Sequence, residues 1–282
     1  MIAVKLHGRL GNQLFQYAFI YATSKRLNTS FYIDKTCQQF VLPQFFNIKK
    51  DLTYPFDRVF AIPSYKDVLK YYFNLRFYKS LKRLLGLKSV YFNNESEPQT
   101  ELQKLSDKAL YHGYFQSVKY FADYELKIKE LFEIKSIYKQ AFDKLFISLP
   151  AGFIYVTIHV RRGDYIDHDF ALPLQYYHDA IKSIHNPNNF YIIISDDPEI
   201  MKKEFSYLEN KYVSENPEII DFQFLITSDI CIISNSSFSW WGAFLNKKSA
   251  RIIAPQYWLG TRSKQEFPRD VIQSSWDIFN DV

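Results

Sequence analysis

The chain has 282 residues, 47% hydrophobic and 23% charged, a balance that describes an ordered globular protein and excludes a disordered or fibrous one. A net charge of +5 without a dense basic block or a nucleic-acid motif excludes nucleic acid as the natural partner. It leaves an anionic small ligand or a membrane surface to account for the excess. Two cysteines without paired spacing, Cys37 and Cys231, exclude a disulfide scaffold and a zinc module. No apolar run is long enough to read as a membrane span. The start passes into a glycine loop too soon for a secretory leader, so a cytoplasmic location is expected, with contact at the inner membrane face as an option.

In chain order, residues 2–7 read as a short strand, followed by the loop Gly8-Arg9-Leu10-Gly11-Asn12-Gln13. A helix comes next, in which Leu14, Tyr17, Ala18, Tyr21 and Ala22 recur at helical spacing, and residues 31–34 form the second strand. Residues 36–110 are rich in Tyr, Phe and Lys and give no clean period. Within them 76–88 reads as a basic amphipathic helix, with Phe77, Leu81, Leu84 and Leu85 set against Lys79, Lys82 and Arg83. It is either an ordinary surface helix or a peripheral membrane contact. A helical stretch over 118–149 is broken by Pro150-Ala151-Gly152, which sets a domain boundary: 1–150, then 151–282, with a last helix expected to pack back on the first domain. The second half alternates strands (153–158, 190–195, 212–214, 230–234, 251–254) with helices (near 174–184, 199–205, 218–227 and from 239). This predicts an α/β fold with a parallel sheet and right-handed crossovers.

Three motifs carry chemistry. The strand at 153–158 delivers His159-Val160-Arg161-Arg162-Gly163-Asp164-Tyr165 at its C-terminal end, where ligands of open α/β sheets sit. An unpaired guanidinium is costly to desolvate, and Asp164 satisfies only part of the demand of two arginines. A diphosphate suits the remainder, because the planar fork matches phosphate oxygens; an internal Arg–Asp pair is the alternative. The opening glycine loop precedes a helix N-terminus, a natural site for anions, where Gly11 allows close approach and Arg9, Asn12 and Gln13 can point at a ligand. It is otherwise a plain βα turn, and it lacks the Gly-Lys-Ser/Thr of a nucleoside-triphosphate loop. In Ile232-Ile233-Ser234-Asn235-Ser236-Ser237-Phe238-Ser239-Trp240-Trp241-Gly242, the hydroxyl and amide side chains exceed what one helix cap needs and suit phosphate oxygens. Trp240 and Trp241 read as half core, their rings supporting the loop, with Gly242 and Ala243 allowing close helix packing. Asp229 and the Asp196-Asp197 pair are either readers of a guanine edge or strand-end and cap aspartates.

These stretches, with Gly113-Tyr114-Phe115-Gln116-Ser117 and Ser195-Asp196-Asp197, resemble in sequence and order the α-1,2-fucosyltransferases of glycosyltransferase family 11. The resemblance implies a GT-B fold, two Rossmann-like domains facing across a cleft, with the GDP-sugar on the C-terminal domain and the acceptor on the N-terminal side. It implies GDP-β-L-fucose as donor, the 2-hydroxyl of a galactose-terminated glycan as acceptor, inversion, and neither metal nor cofactor. It assigns Arg161 to the β-phosphate, His159 and Asp229 to the guanosine, and Ser236, Ser237 and Phe238 to the pyrophosphate. Arg162, Asn235, Arg9, Gly11 and Gln13 complete the donor surroundings, and Asn12 and Asp164 join Arg161 near the reacting centre. The general base stays open among His7, His112, Asp164 and acidic residues of the first domain. A transferase of another GDP-sugar and a nucleotide-sugar or glycan binding protein without turnover are the alternatives.

Overall fold

The computed structural model describes residues 1–48, 76, 80, 82–248 and 250–280. They form two compact units, Met1–Glu133 and Ile134–Val282.

The first unit is built on a parallel sheet in the order β2-β1-β4-β3, with β1 Ile2–Lys5, β2 Phe31–Asp34, β3 Lys88–Tyr91 and β4 Ala109–His112. Helix α1, Leu10–Arg26, follows β1 and ends on Lys25 and Arg26, where cations favour the helix dipole. Phe19 of α1 sits among Phe92, Tyr111, Phe115 and Tyr120, with Phe115 stacked at 3.7 Å between ring centroids. These rings pack together with the buried aliphatic side chains of α1 and the sheet. Short helices among the described residues that follow include α2 Leu42–Phe45, α3 Pro98–Leu102 and α4 Glu125–Leu131. The expected basic helix falls largely outside the described residues, Phe77, Lys79 and Leu81 included. Its described residues are helical up to Leu84, but Gly86, at φ +66°, turns the chain into β3, so the helix stops short of Lys88.

The second unit opens with α5, Ser136–Ile147, so the expected unbroken helix over 118–149 is in fact two 3-10 turns, α4 and α5. α5 belongs with this unit: Phe142 packs on Phe224 at 5.0 Å and Gln223 Nε2 donates to the Tyr138 carbonyl at 3.1 Å. The division therefore falls before α5, and Pro150-Ala151-Gly152 is a turn inside the unit.

Its sheet is parallel throughout: β5 Ile154–Val160, β6 Asn189–Ser195, β7 Lys211–Val213, β8 Ile230–Ile232, β9 Arg251–Pro255 and β10 Asp277–Phe279, in the order β10-β9-β8-β5-β6-β7. Counted from the unit's own first strand this is 3-2-1-4-5-6, the doubly wound order, whose winding reverses between β5 and β8. Helices α6 Gly163–Asp167, α7 Leu174–Ser183, α8 Pro198–Glu204, α9 Glu218–Thr227 and α10 Ser237–Phe244 make the connections. A Cβ on Gly242 would stand 2.5 Å from Leu225, so the glycine sets the approach of α10 to α9. Among the described residues no helix follows β9. A 3-10 turn, Thr261–Ser263, leads to β10, and Trp240 Nε1 fastens the tail by donating to the Val271 carbonyl at 2.6 Å.

Candidate active site

The strand order puts the carboxyl ends of β5 and β8 side by side at the switch point. His159 is the penultimate residue of β5 and Ser234 lies two residues beyond β8. Their Nδ1 and Oγ atoms meet at 2.8 Å across that point. His159 is only 6% exposed, and burial with Arg161 nearby pulls its pKa down to about 3. The imidazole is thus neutral near pH 7, a hydrogen-bonding group and not a cation.

Arg161 leaves the strand with two carboxylate partners. Nη1 lies 2.8 Å from Asp196 Oδ2, Nη2 pairs with Asp164, and the guanidinium lies over the Tyr165 ring at 5.3 Å. Asp196 Oδ1 also accepts from the Arg162 N–H at 2.9 Å. A Cβ on Gly163 would come within 2.5 Å of Asp196 Oδ2, so only glycine leaves room for this carboxylate. The internal ion pair weighed against an anion site is therefore present and doubled. It positions the arginine without exhausting it, because each carboxylate engages one terminal nitrogen and a guanidinium has five N–H donors. Arg162 Nε is buried and has no partner among the described residues.

The loop after β8 is tightened from within. Ser236 caps α10 and accepts from the Phe238 N–H at 3.3 Å, while the Ser239 hydroxyl bonds to the Ser234 and Ser236 carbonyls. Asn235 is buried; its Nδ2 donates to the Phe170 carbonyl at 2.7 Å and anchors the loop, while its Oδ1 has no partner among the described residues. Ser237 and Phe238 stay half-buried, with the Phe238 ring 5.3 Å from His159 and 5.2 Å from Phe222. Trp240 and Trp241 are fully buried core.

The aspartates need a correction. Asp229 stands at the amino edge of the sheet, accepting from the Tyr155 N–H at 2.9 Å and pairing with Lys248 at 3.0 Å. Tyr155 and His159 are four residues apart on one strand, about 13 Å at roughly 3.3 Å per residue. Asp229 is therefore at the wrong end of β5 to share a guanosine with His159. Asp197 caps α8, and Asp196 serves Arg161. The carboxyl edge has its own buried carboxylate, Asp221, in the first turn of α9, which sequence reasoning passed over. It accepts from Ser214, the residue after β7, and is 7% exposed; burial raises its pKa to about 7. Its neighbour Phe222 contacts Phe238, which contacts His159. The available signal was an acid among the apolar residues Ile219, Ile220, Phe222, Phe224, Leu225 and Ile226 of one helix, a costly place for a charge without a partner.

In the first unit the two motifs also converge, at the carboxyl ends of the neighbouring strands β1 and β4. Gln16 accepts from the His7 N–H at 3.1 Å and donates to the Gly113 carbonyl at 3.2 Å, and Gln116 donates to Asn12 Oδ1 at 2.8 Å. Gly8 has φ +75°, and a Cβ there would strike Asn12. Gln13, however, is fully buried and clamped to the Gln39 carbonyl and the Val41 N–H, so it has no capacity for a ligand. Arg9 is exposed at the N-cap of α1, and Gly11 is buried in its first turn. Among the described residues no three His, Cys, Asp or Glu side chains group as metal ligands, and no helix is long and apolar enough to cross a membrane.

The fold resembles that of NodZ α-1,6-fucosyltransferase in a crystal soaked with GDP-fucose, at a TM-score of 0.52 and 15% identity over 89% of this chain and 93% of that one. A family 9 glycosyl transferase of Veillonella parvula matches at 0.51 and 10% identity, over 99% and 85%. These likenesses place the chain in the GT-B class, with two Rossmann-like units. In sequence it is 29% identical to an alpha-1,2-colitosyltransferase of Escherichia coli over 95% of each chain. It is 30% identical to the O-antigen biosynthesis glycosyltransferase WbnK of Escherichia coli, covering 94% of this chain and 97% of the relative. The model of glycosyl transferase family 11 matches residues 1–279, and the chain belongs to that family of glycosyltransferases.

Proposed function

We propose that this glycosyltransferase moves L-fucose from GDP-β-L-fucose to the 2-hydroxyl of a terminal galactose, with inversion and without a metal ion. The observation that carries the reading is Arg161, fixed by Asp164 and Asp196 at the switch point of a doubly wound sheet, beside the serine-rich first turn of α10. Departure of GDP builds negative charge on the β-phosphate. A preorganised guanidinium and those N–H groups of that first turn not taken by the Ser236 cap strengthen as the charge grows and lower the barrier by a few kcal/mol per donor. The guanidinium supplies the neutralising charge that a divalent cation would otherwise bring. Asp164 and Asp196 act by orienting it. Ionised Asp221 accepts from the N1–H and N2–H₂ edge of guanine, and neutral His159 and Phe238 line the nucleoside. The acceptor oxygen attacks from the face opposite GDP. No strong base is assigned, because loosening of the donor precedes attack.

A second donor has a specific argument, since a relative over nearly the whole chain is a colitosyltransferase. Colitose is fucose without its 3-hydroxyl, so the same phosphate and guanine groups serve both, and only contacts to that hydroxyl discriminate. The test is transfer from GDP-fucose and from GDP-colitose to lactose in EDTA, with the linkage read by NMR. An α-1,2-fucosyl product formed faster than the colitosyl one supports the first reading. The reverse ratio assigns the colitosyl donor, and a requirement for added Mg²⁺ removes the metal-independent mechanism.

A further inference from the structure

The first unit carries a group of side chains that the donor site does not use. At the carboxyl ends of its strands, Tyr91 of β3 pairs in register with His112 of β4, and Lys5 of β1 follows the paired Val4 and Tyr111, so the three share one face. It is the face opposite Tyr111, which packs on α1. Tyr91 and His112 stack at 4.5 Å with planes 19° apart, yet Tyr91 is 67% exposed, so one side of its ring is open. His112 Nε2 lies 3.3 Å from Ser89 Oγ, which fixes the ring and leaves Nδ1 without a partner among the described residues. His7, just past β1, lies beside Tyr114, whose ring is 6.4 Å away and 40% exposed because Phe115, next in the loop, turns into the core.

Singly exposed aromatics are ordinary. Here two exposed tyrosines flank two histidines at the end of an α/β sheet where ligands bind, and the set combines apolar faces with a few fixed polar atoms. We infer that Tyr91, His112, His7, Tyr114 and Lys5 form a binding platform for an uncharged hexopyranoside of the acceptor glycan, whose C–H face lies on the Tyr91 ring while its hydroxyls bond to imidazole and ammonium. Burial and the Lys5 charge hold His112 at about 4, so its free ring nitrogen offers a neutral partner to a hydroxyl near pH 7. The inference rests on the proposed glycan acceptor and assigns no base.

The experiment is acceptor kinetics at saturating GDP-fucose with lactose, paired with GDP calorimetry. Tyr91→Ala is expected to raise the lactose KM about tenfold or more with GDP affinity unchanged, and Tyr91→Phe, which keeps the ring, to recover most of that loss. An unchanged KM, or a loss tracking GDP affinity, overturns the platform. A wild-type protein that uses neither GDP-fucose nor lactose sinks the functional reading separately. The platform is then judged by titrating histidine-labelled protein with methyl β-D-galactoside and methyl β-D-glucoside. A saturable shift of the His112 ring signal, lost in Tyr91→Ala, supports it, and an unmoved signal overturns it.

Discussion

Arg161 and Asp221 are the residues at which the proposed chemistry is most exposed to test. Replacing Arg161 by Ala removes the main diphosphate partner and leaves Asp164 and Asp196 facing each other without a cation. The rate is expected to fall by two to three orders of magnitude, the range for loss of one preorganised donor. Arg161→Lys should recover little, because a point charge cannot span both carboxylates and a phosphate; near-normal kcat/KM in either variant contradicts the assignment. Asp221 makes a pH prediction. Its folded pKa of about 7 lies above the roughly 3.9 of an unfolded aspartate, so the folded state binds the extra proton between these values. Stability from this group is complete below about pH 4 and is lost as pH rises through 7, by up to the order of 4 kcal/mol. Asp221→Asn should flatten that slope in urea titrations. Guanine needs the ionised form, so wild-type GDP affinity should rise from pH 6 to pH 8, while the asparagine variant stays flat and loses its preference for GDP over ADP. An asparagine variant with the wild-type pH profile for GDP would remove Asp221 from the nucleotide site.

At the level of elements, the approach of α10 to α9 is set by one glycine. Gly242→Ala places a methyl 2.5 Å from Leu225 and is expected to cost about 1–3 kcal/mol, read as a lower urea midpoint at unchanged slope. Leu225→Ala in the same chain should relieve part of that cost, and strict additivity would mean the two do not meet. How much could be read beforehand follows from packing. The central strands of the second unit are buried on both faces, so Phe190-Tyr191-Ile192-Ile193-Ile194 announces itself as an apolar run. β3 sits at a sheet edge as Lys88-Ser89-Val90-Tyr91, largely exposed, and carries no such signal. The same limit applied to the site. Residue types announced a diphosphate and a guanine reader, but Asp229 and Asp221 differ only in which end of α9 they flank, and so in which edge of the sheet they reach. That depends on strand direction and order, which no local pattern encodes. Gln13 failed for a related reason: its amide is consumed by the Gln39 and Val41 backbone, contacts created only when the chain after β2 folds back.

The molecule as a whole consists of two units with separate sheets, and the groups proposed above for the nucleotide lie on the second. Ligand that binds only the folded form stabilises it by RT ln(1 + [L]/Kd), about 2.7 kcal/mol at a hundredfold excess over Kd. GDP without sugar or acceptor should therefore stabilise the second unit first. In hydrogen exchange, its amides at the carboxyl edge, Arg162, Phe238 and Ser239 among them, should slow. Amides at the amino edge, such as those of Tyr155 and Asp229, should slow only if the unit's global opening was limiting their exchange. The first unit should respond to lactose instead, near Tyr91 and His112. Protection by GDP centred on Asp229 and Lys248 would restore the amino edge as the nucleoside site and would mean that the ring contacts of Phe238 with His159 and Phe222 are packing alone. Protection centred on Asp221, Phe238 and Arg162 would leave the switch point between β5 and β8 as the place where this sequence concentrates its diphosphate chemistry.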